Sequence, residues 1–208
     1  MAKEITPVEK HPLEPFLPEG ARILMLGSFP PARKRWSMEF FYPNWINDMW
    51  RIWGLIFHDD KEYFVAEEDG KKVRRFDRER CAGFATEKGI AMYDTACEVR
   101  RLKDNASDKF LEVVRATDIA KDCKCLEGLC LERIPECQAI VTTGQKATDV
   151  IVEKFSCDEP SVGEYSECNI GKRSIRFWRM PSSSRAYPLS LEKKAEFYRK
   201  MFRTELHE

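Results

Sequence analysis

The chain has 208 residues in which Lys plus Arg and Asp plus Glu balance at 35 each, so its formal net charge is zero. No global field draws it toward nucleic acid, and any binding of DNA or RNA has to come from local segregation of charge. The length suits one domain with a full core that needs no staples. The first residues lack an apolar signal core and no 18-residue apolar run exists, so a soluble, cytoplasmic monomer without membrane contact is expected.

Charge is indeed segregated. His58 to Gly70 is acid-rich, whereas 33–35, 100–103 and 172–185 are basic. Residues 1–20 hold four prolines and read as an extended arm that docks through Phe16 and Leu17, ahead of a single domain over 21–208. Arg22 to Gly27 reads as the first strand: the apolar run Ile23 to Leu26 is stopped by Gly27-Ser28 and followed by Pro30-Pro31, which predicts a buried strand feeding a tight loop. That loop passes through a basic cluster (Arg33, Lys34, Arg35) and an aromatic one (Trp36, Phe40, Phe41, Tyr42). A helix is predicted over Trp45 to Phe57, where Ile46, Met49, Trp50, Trp53 and Phe57 recur at three- and four-residue steps.

From Glu62 to Phe76 two short runs flank Asp69-Gly70, a hairpin signal. A helix over Asp77 to Lys88 and a short buried strand over Gly89 to Asp94 follow. Ser107 is placed to cap a helix carrying Phe110, Val113 and Val114, and Thr117 to cap the next. In that second helix Ile119, Cys123, Leu126 and Cys130 share one face and Cys125 points away. Cys123, Cys125, Cys130 and Cys137 are therefore expected to be buried free thiols rather than metal ligands.

Gln138 to Thr143 is a third strand, and Ala147, Val150, Ile151 and Phe155 mark an amphipathic helix. Ser156 to Gly171 reads as a polar loop, and Ser174 to Met180 as a fourth strand ended by Pro181 and serines. Ser190 caps a last helix with Leu191, Ala195, Tyr198 and Phe202 on one face. Four strands alternating with helices give an α/β fold: a three-layer α/β/α sandwich around a central, mainly parallel four-stranded sheet. In such sheets the ligand crevice lies outside the carboxyl ends of the strands. This gathers the loops at Gly27-Ser28-Phe29-Pro30, Asp94-Thr95, Thr143-Gly144-Gln145 and Met180 to Arg185.

Over roughly residues 11 to 203 the chain resembles the uracil-DNA glycosylase superfamily, closest to its hypoxanthine-DNA glycosylase branch. The resemblance rests on Gly27-Ser28 with Pro30, Phe41-Tyr42, Asn47 before Trp50-Arg51-Ile52, Gly89-Ile90 to Asp94, and Pro181-Ser182-Ser183-Ser184. It implies a metal-free, cofactor-free, monofunctional glycosylase that hydrolyses the N-glycosidic bond of a deaminated base, hypoxanthine or uracil, in DNA. That reaction is the first step of base excision repair. Two positions depart from the superfamily pattern. Phe29 stands where most members place the Asp or Asn that handles the attacking water, and Met180 replaces a His or Asn that bonds the departing base. In the hypoxanthine branch the water falls to an Asn on the following helix, which carries over onto Asn47.

Such chemistry needs the base flipped out of the duplex, an anionic leaving group, a sugar cation and water. Phe41 or Tyr42 would stack on the base, with Gly27, Ser28, Phe29 and Met180 around it. An ionised Asp94 only accepts hydrogen bonds, so it favours uracil N3–H or hypoxanthine N1–H over the bare ring nitrogens of cytosine and adenine. Asn47 would position water, and Asp48 would supply negative charge beside it. Ser182, Ser183 and Ser184 would clamp phosphates, and Arg185 or Tyr187 would plug the stack. Arg33, Lys34 and Arg35, with Lys172, Arg173, Arg176 and Arg179, would edge a DNA groove. Thr143 and Gln145 are further lining candidates. His11, His58 and His207 sit at no predicted strand end. Two rival readings are a nucleic-acid-binding protein of the same fold without turnover and a flavodoxin-like binder of a free nucleotide.

Overall fold

The computed structural model describes residues 6–103, 108–118 and 131–207. Its centre is a five-stranded sheet whose strands lie side by side in the order β5 (Ile90–Asp94), β2 (Ile23–Gly27), β8 (Ala139–Thr142), β10 (Arg173–Arg179) and β9 (Tyr165–Ile170). Four of these strands run parallel: β2, β5, β8 and β10. Every residue of β2, β5 and β8 is buried, as expected of strands covered on both faces. The helices confirm the cover. Thr142 bonds Thr148 of α3 (Gln145–Phe155) at 2.8 Å, whereas Trp178, in register with neighbouring Val141, bonds Glu205 of α4 (Leu191–Leu206) at 2.7 Å. Adjacent residues of a strand point to opposite faces, so α3 and α4 lie on opposite sides of the sheet. The α/β/α layering read from the sequence is the one observed.

On the α4 side, α1 (Met49–Phe57) and α2 (Arg78–Glu87) complete the layer through aromatic contacts. Trp53 of α1 lies 5.8 Å from both Phe84 of α2 and Phe202 of α4, and Phe57 repeats the bridge at 5.0 and 5.1 Å. Asp77 caps α2 by accepting from the Arg80 N–H, and Ser190 caps α4 by accepting from that of Lys193. The hairpin at Asp69-Gly70 joins β3 (Val65–Glu68) to β4 (Lys71–Phe76).

Four expectations are corrected. First, part of the polar loop before the fourth parallel strand is β9 (Tyr165–Ile170), antiparallel to β10 across a tight turn at Gly171. Its Cys168 and Ile170 are buried while Glu167 and Asn169 are exposed, a two-residue period too short and polar to stand out. Second, residues 108–110 form a 3-10 turn and the expected helix at Val113-Val114 is β7 (Leu111–Ala116). It pairs with β6 (Ala96–Arg101), because a neighbouring strand supplies hydrogen bonds that outweigh a weak helical period. Third, the arm docks through Phe16 and Leu17 as expected, Phe16 bridging to Met92, but part of it is also a strand, β1 (Val8–Lys10), which joins β6 and β7 in a second sheet. Fourth, α1 starts at Met49 rather than Trp45. Asn44 Oδ1 accepts from the Ile46 N–H and Asn47 Oδ1 from the Met49 N–H, and such turns compete with a helix. The expected cap Ser107 and the helix bearing Cys123, Cys125 and Cys130 lie outside the described residues. Cys137 is buried, with Sγ 3.4 Å from the Ala139 carbonyl.

Candidate active site

Parallel pairing sets the carboxyl ends of four strands in a row. Gly27 is in register with Asp94, Leu26 with Thr142, and Thr142 with Arg179. At about 4.8 Å between strands the row spans roughly 14 Å, room for one nucleotide. The loops continue the order: the Thr95 N–H donates to Gly27 O at 2.8 Å, and that of Met180 to Thr142 O at 2.9 Å. The four strand-end loops singled out in the sequence therefore share one edge of the sheet.

Asp94 is 8% exposed and paired through one of its oxygens. Its Oδ2 lies 2.8 Å from His11 Nε2, and its Oδ1 occupies the space that a Cβ on residue 27 would need, so only glycine fits there. His11 has a side chain 2% exposed, packed edge-on to Phe29 at 5.3 Å and tilted on Tyr93 at 4.5 Å, with Nδ1 2.8 Å from Leu13 O. The sequence held no local sign of this residue. Its place depends on β1, which carries the His11 N–H to Cys97 O at 2.8 Å. Phe29 is buried with Ala96, Val99 and Leu111. It forms a floor beneath His11 rather than a surface for water.

Phe41 and Tyr42 separate in role. Phe41 is buried in the main core, its carbonyl accepting from Trp50 Nε1 at 3.0 Å. Tyr42 is half-buried in a left-handed conformation (φ 52°), which turns its hydroxyl to a hydrogen bond with Thr143 at the end of β8. Burial, with Asp94 nearby, holds the phenol well above its ordinary pKa and hence neutral. Tyr42 is thus the ring placed across the row of strand ends. Met180 is only 1% exposed and belongs to the core, so the side chain contributes shape from behind and no polar group.

A second group forms where the turn before α1 meets the serine loop. Asn47 and Ser184 form an antiparallel bridge, and the Asp48 N–H donates to Ser183 O at 2.9 Å. Buried Asp48 accepts from Arg185 Nε at 2.9 Å and from Lys194 Nζ at 3.1 Å, and Nζ also donates to Ser184 O at 2.8 Å. Both carboxylate oxygens are therefore committed to holding the serine loop. Arg51 stacks on Trp45 (4.2 Å) and donates to the carbonyls of Trp45 and Asn47. Three cations, Arg51, Arg185 and Lys194, against two carboxylates, Asp48 and the Glu62 near Arg51, leave this group net positive, a suitable seat for phosphate. Ser182 Oγ and Ser184 Oγ accept from the N–H groups of Ser184 and Ala186, which leaves their O–H groups to donate outward. Asn47 is committed at Oδ1 only, so its amide nitrogen is the end available to hold water.

The two basic runs diverge. Arg33, Lys34 and Arg35 form a 3-10 turn whose neighbour Trp36 bridges to Asn44, which brings the run beside the Asn47 turn. Arg33 pairs with Glu39 and stacks on Trp36 at 4.1 Å, and Arg35 Nε is buried without a hydrogen-bond partner. In the other run the arginines are engaged within the fold. Arg173 donates to the carbonyls of Leu131, Pro135 and Cys137, Arg176 pairs with Glu205, and Arg179 with Glu159. Gln145 joins that last network through Asp149, Glu159 and Arg179. Of the two cavities described, one of about 450 Å³ lies at the opposite, amino ends of the strands. The other, of about 120 Å³, lies along the arm and is lined by Lys10, His11, Leu13 and Tyr93.

No family model matches the chain, and no curated protein matches it. Among solved structures it is similar to an NMR structure of a protein from Methanosarcina acetivorans provisionally named a uracil DNA glycosylase. The identity is 19%, the TM-score 0.53, and the match covers 91% of this chain and 98% of that one. Nearly the whole of both chains takes part at low identity, so the likeness is one of fold: this chain has a uracil-DNA-glycosylase-like α/β/α architecture.

Proposed function

We propose that the chain is a monofunctional DNA glycosylase of the uracil-DNA glycosylase superfamily that excises a deaminated base, hypoxanthine or uracil. The observation that carries the reading is Asp94, a buried hydrogen-bond acceptor held by His11 over the Cα of Gly27 at the carboxyl edge of a parallel sheet. A flipped base laid on Gly27-Ser28 would meet Asp94 with its ring N–H and Tyr42 with its face. Stacking of this kind contributes about 1–3 kcal/mol per base. The net positive group at Asp48, Arg185 and Lys194, with the serine hydroxyls, would hold the flanking phosphates. Asn47, on the turn bridged to Ser184, would deliver water to the sugar carbon as the bond breaks. Exposed Ile46 (45%), at the tip of the same turn, joins Arg185 as a candidate to fill the emptied stack.

The test is to incubate the protein with duplexes holding one hypoxanthine or uracil and then to cleave abasic sites with alkali. Strand scission at the lesion is expected. A second reading, a DNA-binding protein of this fold without turnover, is favoured by Phe29 and Met180. Both are buried apolar side chains where a water-handling group and a base-bonding group are expected. Tight binding to lesion duplexes with no scission on either base would select it.

A further inference from the structure

We infer that Arg101 is a positioning residue for base recognition: it ties the first strand-end loop to the N-terminal arm, so that Gly27 and Asp94 meet the base in one fixed geometry. This role rests on the glycosylase reading and deepens it, naming what holds the recognition surface in place. Arg101 is the last residue of β6, and its side chain is only 8% exposed.

The loop after β2 runs beside the start of β6, and its carbonyls are taken up one after another. Gly27 O accepts from the Thr95 N–H at 2.8 Å, Ser28 O from the Ala96 N–H at 3.2 Å, and Pro30 O from Arg101 Nη2 at 3.0 Å. The first two donors are backbone and the third is a side chain, so the far end of the loop depends on Arg101. Between these ties Phe29 is buried against Ala96, Val99 and Leu111, with the Arg101 guanidinium 5.9 Å from its ring.

The same guanidinium holds the arm. Nε lies 3.0 Å from Glu9 Oε1 and Nη2 lies 3.0 Å from Glu9 Oε2, the two-pronged fit of a planar fork to a carboxylate. Glu9 is the middle residue of β1, in register with Val99. Two residues further on, His11 reaches Asp94 Oδ2 at 2.8 Å, and Asp94 Oδ1 stands over Gly27. The contacts therefore close a ring. It runs from Arg101 to Glu9, along the arm to His11, across to Asp94 and Gly27, and along the loop through Pro30 back to Arg101. Each member is tied on both sides, and the surface on which the base would lie is one arc of that ring. A misplacement of about 1 Å in such a surface can lower a rate about 100-fold. Lysine at 101 would keep the charge, yet its single ammonium lacks the rigid fork that serves Glu9 and Pro30 together.

Single-turnover excision of a deaminated base, affinity for undamaged duplex and amide hydrogen exchange test this in wild type, Arg101→Lys, Arg101→Met and Glu9→Ala. Arg101→Met keeps much of the side-chain bulk and removes every donor. It should excise about 10- to 100-fold more slowly than wild type at unchanged duplex affinity, since the serine loop lies outside the ring. Exchange at the Thr95 and Ala96 N–H groups, which the loop carbonyls accept, should quicken in it. Arg101→Lys should fall between the two. Glu9→Ala should slow excision less, because Pro30 keeps its donor, and at a side chain 40% exposed it tests the tie without risk to the core. A lower melting temperature with wild-type excision and wild-type exchange would make Arg101 merely structural and overturn the inference, leaving the glycosylase reading standing. Loss of duplex affinity in step with excision would overturn it too, since Arg101 would then touch DNA itself. Should Arg101→Met fail to fold, a Glu9→Ala variant that excises at the wild-type rate overturns it. A wild type that excises no base overturns both, before any variant is compared.

Discussion

Replacing Asp48 by asparagine separates a scaffold from a catalytic group. The carboxylate is buried and shared between Lys194, whose side chain is 1% exposed, and Arg185, which is 46% exposed. Removing one member of a buried ion pair costs about 3–5 kcal/mol, because the survivor is left charged without a partner. The exposed Arg185 share is small, about 0–1 kcal/mol. An asparagine still accepts one hydrogen bond, so about 3 kcal/mol is expected, nearly all of it through Lys194. For a chain of this size each kcal/mol moves the melting temperature by about 2–4 °C, which gives a fall of roughly 6–12 °C. Thermal and urea unfolding measure it. The double variant Asp48→Asn/Lys194→Met should cost less than the sum of the singles, since it leaves no buried charge behind. If Asp48→Asn melted within about 2 °C of wild type but no longer excised any base, the scaffold argument would fail and Asp48 would belong to the chemistry.

Asn47→Ala should abolish excision at unchanged duplex affinity and lower the melting temperature only slightly, since a single turn hydrogen bond is lost; unchanged turnover would exclude Asn47 from water delivery. Asp94→Asn, which can donate as well as accept, should relax the choice between deaminated and normal bases more than it lowers DNA affinity, read from an excision panel across four lesions and their parent bases. Gly27→Ala should lower both stability and excision, because the added methyl meets Asp94 Oδ1; a variant with full activity would show that Asp94 can leave its place over the loop. Asp108→Asn should gain stability over wild type at neutral pH and lose that gain in acid. A carboxyl with a raised folded pKa stabilises below its unfolded value, about 3.9, and loses that contribution as pH rises through the folded value. Urea titrations at several pH values measure it.

The central sheet was legible because three of its four parallel strands are short apolar runs closed by Gly, Asp or Thr-Gly, and the fourth, β10, alternates buried and polar residues up to Pro181. The second sheet was not. Val8–Lys10 has one apolar residue, and its reason to be extended lies about 90 positions away, in the partners Glu98 to Arg100. His11 became invisible with it, since a histidine in a proline-rich arm has no local mark of burial. Asn47 and Asp48 were found as residues but placed one turn too deep in the helix. Asparagine side chains at 44 and 47 take the hydrogen bonds that an earlier helix start would need. The basic run at 172–179 shows the opposite limit. Its charges are obvious in the sequence, whereas the carbonyls and carboxylates that consume them come from elsewhere in the fold.

The two halves of the site are built from different parts of the chain, and this bears on how each can fail. In the proposed function, base recognition would draw on the arm, the first loop and β5, through His11, Gly27, Ser28 and Asp94. Backbone holding would draw on the turn before α1 and the serine loop, which Asp48 and Lys194 lock together. Tyr42 stands between them, reached by chain from the first half and hydrogen-bonded to Thr143 at the end of β8. A base entering over Gly27 must either take Tyr42 as its stacking wall or break that hydrogen bond. The net cost of the break is about 0.5–1.5 kcal/mol, less than the gain from stacking one base. Tyr42→Phe keeps the ring and removes only the tie to Thr143, so it should bind a flipped base at least as well as wild type, whereas Tyr42→Ala should bind it about tenfold or more weakly. Equal loss in both would mean that Tyr42 works through its hydroxyl and that the stacking surface lies elsewhere.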